Sequence, residues 1–204
     1  MAINFWAFNE HFYAYEYSKS AVAVKLDIDE SVLTEASDYL LYYLKDEHSS
    51  LDYQIEVEGK LESFYTHKDG LHMEDVKGLY QNFKLISFIS FIYIIMASAY
   101  LYCKHASFRE FYIIFKRTVL VFVAIIAACL FLMWQDFAMF WYNLHFLFFK
   151  NMLWVISPSE SRLIIMMNQT LFNDLLFLIA ISIIILLGII FYIFKIFKEK
   201  EKKL

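Results

Sequence analysis

Two histidines and one aspartate are the residues in this sequence best suited to acid–base chemistry. His72 is followed three positions later by Asp75, and His145 lies in the second half of the chain. The imidazole changes its protonation state near neutral pH, which suits a general acid or base. Because residues i and i+3 share one face of a helix, Asp75 is placed to orient the His72 imidazole and to stabilise its charged form. A single interfacial histidine is more often a polar anchor, whereas two that converge leave a catalytic pair and two polar anchors equally open.

Sequence motifs for several other kinds of chemistry are absent. The sequence has no Gly-x-Ser-x-Gly nucleophile elbow and no glycine-rich phosphate loop. Cys103 and Cys129 lie in or at the ends of apolar runs, so neither a disulfide framework nor an outer thiol nucleophile is predicted. His-x-x-x-His metal spacing is absent, although His72, Asp75 and His145 have the chemistry of a three-ligand metal site. No basic patch accompanies the histidines, which excludes nucleic acid as a partner.

Three long runs without charge predict the membrane helices that position these residues. The chain of 204 residues is 60% hydrophobic, whereas soluble domains are about 45–50% apolar. Each run approaches the ~20 residues that a helix needs to cross ~30 Å of hydrocarbon. The predicted spans cover residues 84–103, 118–135 and 174–195. The fold class is therefore a mainly α, multi-pass protein of the cell membrane.

The distribution of charge predicts how these spans are oriented. Residues 1–84 carry 16 acidic and 7 basic residues, a net charge of −9. The loop 104–117 has four basic residues against one acidic residue, and the tail 196–204 is also basic. Short loops rich in Lys and Arg face the cytoplasm. Residues 1–83 and 136–173 are therefore predicted to lie outside, with both histidines near the outer headgroups.

An outer N-terminal segment of this length needs a hydrophobic segment to take it across the membrane. Residues 1–8 are too short for a signal peptide and lack its basic flank. We therefore expect a first transmembrane helix ahead of residue 1, with residues 1–8 as its outer end.

The N-terminal outer segment is predicted to form a small α+β domain. Aromatic and β-branched residues with patchy alternation favour an extended strand over residues 9–27. Apolar residues at i, i+3 and i+4 predict an amphipathic helix over residues 31–45. Two alternating stretches, 53–57 and 61–65, flank a Glu-Gly pair and predict a β-hairpin.

One helix is predicted for each histidine. The helix that carries His72 is predicted to start with Asp69 as its N-cap and to lead towards the first span. The aromatic stretch 137–149 contains His145, and because Trp and Tyr favour the membrane–water boundary, we expect a helix in the outer interface. The sequence Ser-Pro-Ser at 157–159 is predicted to break this helix.

A second short amphipathic helix is predicted over residues 162–172, ahead of the last span. Asp136 and Arg162 lie near the interface and are candidates to bind a lipid headgroup or to pair with each other. A solvated or snorkelling role is the more common one for such residues.

The order of these features resembles the lipoprotein intramolecular transacylase family of low-GC Gram-positive bacteria. The resemblance covers nearly the whole chain. Its most specific parts are two motifs: His72-Met73-x-Asp75-Val76 and His145-x-x-Phe148-Phe149-x-Asn151-x-x-Trp154. The chain departs from the family pattern where Asp is replaced by Ser161, and where Pro-Glu is replaced by Asn168 and Gln169.

The resemblance implies a fold and an activity. Family members have four membrane helices and a small outer domain, and they move the sn-2 acyl chain of a diacylglyceryl-cysteine lipoprotein to that cysteine's α-amino group. It implies His72 and His145 as the catalytic pair, with no metal or other cofactor. The partners implied are a diacylated bacterial lipoprotein and membrane lipid. Other matching positions are predicted to support the pair: Asp75, Asn143, Asn151 and Arg162.

Two alternatives remain beside the transacylase. One is a metal-dependent membrane hydrolase that uses His72, Asp75 and His145, and the other is a non-enzymatic scaffold or sensor. The sequence leaves open which histidine is the base and which is the acid, and it leaves the oligomeric state open.

Overall fold

Helices dominate the part of the chain that the structure, a computed structural model, describes: residues 2–57, 59–104 and 108–201. The helices are α1 (Ala2–Ala7), α2 (Glu10–Lys19), α3 (Val22–Leu26), α4 (Glu30–Lys45), α5 (His67–Cys103), α6 (Phe108–Gln135), α7 (Phe137–Phe148), α8 (Arg162–Met166) and α9 (Gln169–Glu201). The strands β1 (Gln54–Val57) and β2 (Lys60–Ser63) lie between α4 and α5. Three parts of the predictions lie outside the described residues: Glu58 of the predicted turn, residues 105–107 of the predicted loop and residues 202–204 of the predicted tail.

Three helices are long and apolar enough to cross a membrane, which confirms the mainly α membrane fold and the three predicted spans. They are His67–Cys103, Arg109–Gln135 and Gln169–Ile196. Their apolar stretches are almost wholly exposed, as expected for surfaces that face lipid. α6 and α9 pack together through ring pairs such as Phe115 and Phe194, whose centroids are 4.7 Å apart.

The spanning helices are longer than the runs that predicted them. α6 begins at Phe108 and α9 runs from Gln169 to Glu201, so helix replaces part of the predicted loop 104–117 and tail 196–204. Lys, Arg and Glu are good helix formers and their long stems reach water from a membrane helix. α5 is continuous from the outer domain into the membrane. Its charge-free part, residues 85–103, is the spanning segment, and its charged part lies before it.

The strand predicted over residues 9–27 is wrong. This stretch forms α2 and α3, because the Asn9 side chain caps α2 by accepting a hydrogen bond from the Phe12 amide at 3.1 Å. The buried side chains of α2 recur with helical spacing, and the rings of Phe12 and Tyr17 enter the core. Ala21 has a positive φ of 50° and separates the two helices.

The predicted helix over residues 31–45 and the predicted hairpin are confirmed. α4 buries Leu33, Ala36 and Leu40 on one face, as its apolar period requires. β1 and β2 pair antiparallel, with Gln54 opposite Ser63. The hairpin leads directly into α5.

The cap of α5 differs from the prediction. Thr66, not Asp69, is the N-cap, and Asp69 closes a capping box by accepting from the Thr66 amide at 2.8 Å. A carboxylate in the first turn also faces the positive end of the helix dipole. The other oxygen of Asp69 accepts from the Ser161 hydroxyl at 2.7 Å, and Asp69 is fully buried.

The helix predicted over residues 162–172 is divided in two. α8 ends at Met166, and the Asn168 side chain starts α9 by accepting from the Leu171 amide at 3.1 Å. Leu163, Met166 and Leu171 are buried within the core of the outer domain. The segment after α7 thus completes a core that the N-terminal helices begin.

We expect Ser161→Ala to destabilise the protein. The change removes the hydroxyl's bond to a buried carboxylate and the bond that it accepts from the Ile164 amide as the N-cap of α8, which costs at least about 1–3 kcal/mol and lowers the thermal unfolding midpoint in detergent. The matched control is Ser159→Ala, because Ser159 is exposed and bonds only to Ser157 among the described residues. An equal midpoint for both variants would contradict a structural role for the Asp69–Ser161 bond.

Candidate active site

The two predicted histidines lie side by side in the structure. His72 is on the charged part of α5 and His145 is on α7, and their ring centroids are 5.8 Å apart. Phe149 packs against both rings, at 5.3 Å from His72 and 5.6 Å from His145. A group bound between these rings is therefore within reach of both imidazoles.

The ring of His145 is held in one orientation and one tautomer. The Asp136 carboxylate caps α7 by accepting from the Met139 amide at 2.9 Å. Further along α7, His145 Nδ1 lies 2.8 Å from the Trp141 carbonyl oxygen. A carbonyl only accepts, so Nδ1 carries the proton and Nε2 of the neutral ring carries a free lone pair.

His72 is more deeply buried and has no comparable partner. It is 6% exposed, and its Nδ1 has no hydrogen-bond partner among the residues that the structure describes. A buried polar atom without a partner is unusual, and it suits a site that a ligand completes.

Burial holds both imidazoles in the neutral form. Desolvation, with a smaller contribution from His145, lowers the pKa of His72 to about 4, although Asp75 and Asp69 act in the opposite direction. Desolvation also lowers the pKa of His145, against the hydrogen bond to Trp141. Neither ring therefore carries a proton at both nitrogens near neutral pH.

The i and i+3 spacing predicted that Asp75 orients the His72 ring. The structure shows no hydrogen bond between these two described residues. The Asp75 carboxylate instead accepts from the Asn151 side chain at 2.8 Å. Asn151 belongs to the loop 149–161, and its backbone oxygen accepts from the indole N–H of Trp154 at 2.9 Å. The Trp154 ring lies 5.1 Å from His145, so Asp75 acts on the site through the loop.

Two other predicted residues do not reach the histidine pair. Asn143 is exposed and donates to the Met139 carbonyl of its own helix at 2.8 Å. Arg162 bonds to the hairpin, with the Ser63 carbonyl at 3.1 Å and the Glu62 carboxylate at 3.2 Å. A pair of Arg162 with Asp136, one of the candidate roles for these residues, is not formed: Arg162 pairs with Glu62, and Asp136 caps α7.

The described residues provide no group of ligands for the metal-dependent alternative. Within residues 2–57, 59–104 and 108–201, no three His, Cys, Asp or Glu side chains are grouped as metal ligands. Asp75 bonds to Asn151, so the predicted trio of His72, Asp75 and His145 is not formed.

A mostly apolar cavity of about 320 Å³ adjoins the histidines. Its lining comes from α2, α4, α5, α7, α8, the start of α9 and the loop 149–161. Trp141 packs against His145 at 4.8 Å and against Phe172 at 4.3 Å, which closes one wall. Residue types did not identify Trp141 and Phe172 as site residues, since the contacts that bring them together are distant in sequence.

Known proteins resemble the chain in sequence and in structure. A family model described as lipoprotein intramolecular transacylase Lit matches residues 1–172. The fold is similar to the structure of the membrane integral lipoprotein intramolecular transacylase Lit from Bacillus cereus, with a TM-score of 0.75 and 17% identity over 99% of this chain and 88% of that chain. A variant of that protein with one histidine replaced by arginine gives a TM-score of 0.73 and 16% identity over 100% and 86%. No curated protein matches significantly.

The low pKa of His72 predicts how stability depends on pH. As pH falls from about 6.5 to about 4, the unfolded chain binds a proton at this position and the folded protein does not. The free energy of unfolding of the wild-type protein therefore falls over this range. For His72→Gln this fall should be about 2–3 kcal/mol smaller. Unfolding midpoints measured between pH 7 and pH 4 test this, with the exposed His11→Gln as control. Parallel curves for wild type and His72→Gln would contradict a neutral, buried His72.

Proposed function

Because this chain belongs to the lipoprotein intramolecular transacylase family, we propose that it moves the sn-2 acyl chain of a diacylglyceryl-cysteine lipoprotein to the α-amino group of the same cysteine. The product is a lyso-form lipoprotein. The observation that carries this proposal is the pair of His72 and His145, 5.8 Å apart beside an apolar cavity. Membership of the family makes the chain an acyltransferase and replaces the scaffold or sensor alternative.

The reaction exchanges an ester for an amide within one molecule. The neutral amine attacks the ester carbonyl carbon, and a C–N bond forms. The tetrahedral oxyanion then collapses, and the bond between the carbonyl carbon and the sn-2 oxygen breaks. One proton leaves the nitrogen and one reaches the glycerol oxygen, so no co-reactant is consumed. Because amine and ester share one molecule, their effective concentration is high.

His145 is the base of the proposed mechanism. Its Nδ1–H is held by the Trp141 carbonyl, which leaves Nε2 as the free acceptor. An α-amino group has a pKa of about 8, so part of it is already neutral amine near neutral pH. Its nitrogen becomes acidic as the C–N bond forms, and the neutral imidazole then takes one proton from it. The resulting imidazolium then gives that proton to the departing glycerol oxygen, as one histidine does in acyl transfer by serine hydrolases.

His72 is the proposed oxyanion donor. Its low pKa disfavours a doubly protonated ring, but a neutral imidazole still has one N–H. A neutral imidazole that donates to a developing oxyanion is an established form of electrostatic catalysis. The dry, apolar surroundings strengthen such a hydrogen bond relative to water.

The proposed site lies on the outer face of the membrane. The acidic outer domain holds the charged part of α5, whereas the basic loop and tail follow the opposite ends of the spans. Positive residues favour the cytoplasmic side. We therefore infer that the histidines face the outer side and that the proposed substrate reaches them from the outer leaflet.

Different losses are expected for the two histidines. His145→Gln removes the base and should lower the rate by at least about 10²-fold. His72→Ala removes the donor and should cost about 10²–10³-fold, whereas His72→Gln keeps a donor and should retain more activity. The measurement is mass spectrometry of lipoprotein N-termini from cells that make diacyl lipoproteins and express each variant.

The control is His11→Ala, since His11 is exposed on α2 and its loss should leave the product unchanged. Absence of any N-acylated cysteine with the wild-type chain would refute the transacylase function. Equal losses in His72→Gln and His72→Ala would refute the donor role while leaving the function in place.

A further inference from the structure

The cavity beside the histidines has a membrane end. Leu79 and Phe148 line it there; Leu79 is the cavity residue of α5 nearest the spanning segment, and Phe148 is 41% exposed. α4 runs beside α5 in the same direction, because the Tyr65 hydroxyl donates to the Ala36 carbonyl and the Gln81 side chain donates to the Leu44 carbonyl.

The other end of the cavity lies inside the outer domain. Leu40 and Leu41 of α4 and Tyr13 of α2 line it, and they are only 1%, 2% and 5% exposed. The Tyr13 hydroxyl donates to the Ala7 carbonyl at 2.9 Å, so this tyrosine adds no unpaired polar group. The buried end is therefore an apolar wall.

The distance of His72 from the apolar segment of α5 explains why the substrate requires an apolar cavity. His72 lies thirteen residues before Leu85, where the charge-free segment of α5 begins. This is about 20 Å along the helix axis at 1.5 Å per residue, which is farther from the apolar segment than the headgroup depth that the sequence predicted. An ester that reaches His72 draws its acyl chain out of the hydrocarbon. Each methylene exposed to water by that rise is unfavourable unless protein buries it again.

We propose that the outer-domain end of the cavity binds the migrating acyl chain, and that Leu40, Leu41 and Tyr13 form the wall that limits its length. The proposal rests on the transacylase function and adds to it a chain-length rule. A volume of about 320 Å³ is at the small end for ligand sites and suits one chain. The second chain of the substrate then stays on the membrane side, past Leu79 and Phe148.

A competition between chain lengths tests the wall. Wild-type protein in vesicles receives an equimolar mixture of diacylglyceryl lipopeptides that differ only in sn-2 chain length, and mass spectrometry gives the ratio of long to short N-acyl products. Leu41→Ala should raise this ratio and Leu41→Phe should lower it, each by about tenfold, because one methylene in an apolar pocket discriminates by that factor or more.

Leu33→Ala is the matched control. Leu33 is on the same helix and 2% exposed, but it does not line the cavity, so the ratio should not change. Altered total product with an unchanged ratio in both Leu41 variants would overturn the chain-length rule. Absence of product from the wild-type protein would instead refute the transacylase function itself.

A second measurement does not depend on turnover. The inactive His145→Ala protein receives a lipopeptide whose sn-2 chain ends in a photoreactive diazirine, and crosslinked peptides are then identified. Crosslinks at α2 and α4, near Tyr13 and Leu41, support the proposed chain site. Crosslinks confined to the spanning segments 85–103, 118–135 and 175–194 would overturn it.

Discussion

The buried carboxylate of Asp69 joins the two halves of the site. It accepts from the Thr66 amide at the start of α5 and from the Ser161 hydroxyl at the start of α8. α5 carries His72, and α8 is reached only through α7 and the loop that follows His145. A buried carboxylate is stable only when hydrogen bonds replace its water, so this requirement fixes the starts of both helices relative to each other.

Hydrogen bonds and an ion pair also connect the loop 149–161 and the start of α8 to α5 and the hairpin. Asn151 donates to Asp75, and Lys68 donates to the Val155 carbonyl. Just after the loop, Arg162 at the start of α8 pairs with Glu62 of the hairpin. These contacts hold the loop across the histidines and place Trp154 against one of them. Asp75 thus contacts this loop, and its hydrogen-bond partner is Asn151 rather than the predicted His72.

Periodicity and charge in the sequence were sufficient to predict the spans, α4 and the hairpin, because each of these elements depends on a pattern of residues close together in the chain. The proximity of His72 and His145 was also predicted, from the chemistry of imidazole together with the two motifs that resemble the transacylase family. Residues 9–27 were misread because aromatic residues favour strands in general, whereas here Asn9 caps a helix and the core selects its buried face. The partners of Asp75 and Arg162 are set by contacts between distant segments, which no local pattern reports.

The continuity of α5 has a consequence for the membrane around the protein. One unbroken helix of 37 residues holds His72 at one end and spans the bilayer at the other. A span tilts when its apolar length and the hydrocarbon thickness differ, and a rigid helix passes that tilt to its outer end. A change in bilayer thickness that tilts this span therefore also moves the His72 imidazole relative to the lipid surface.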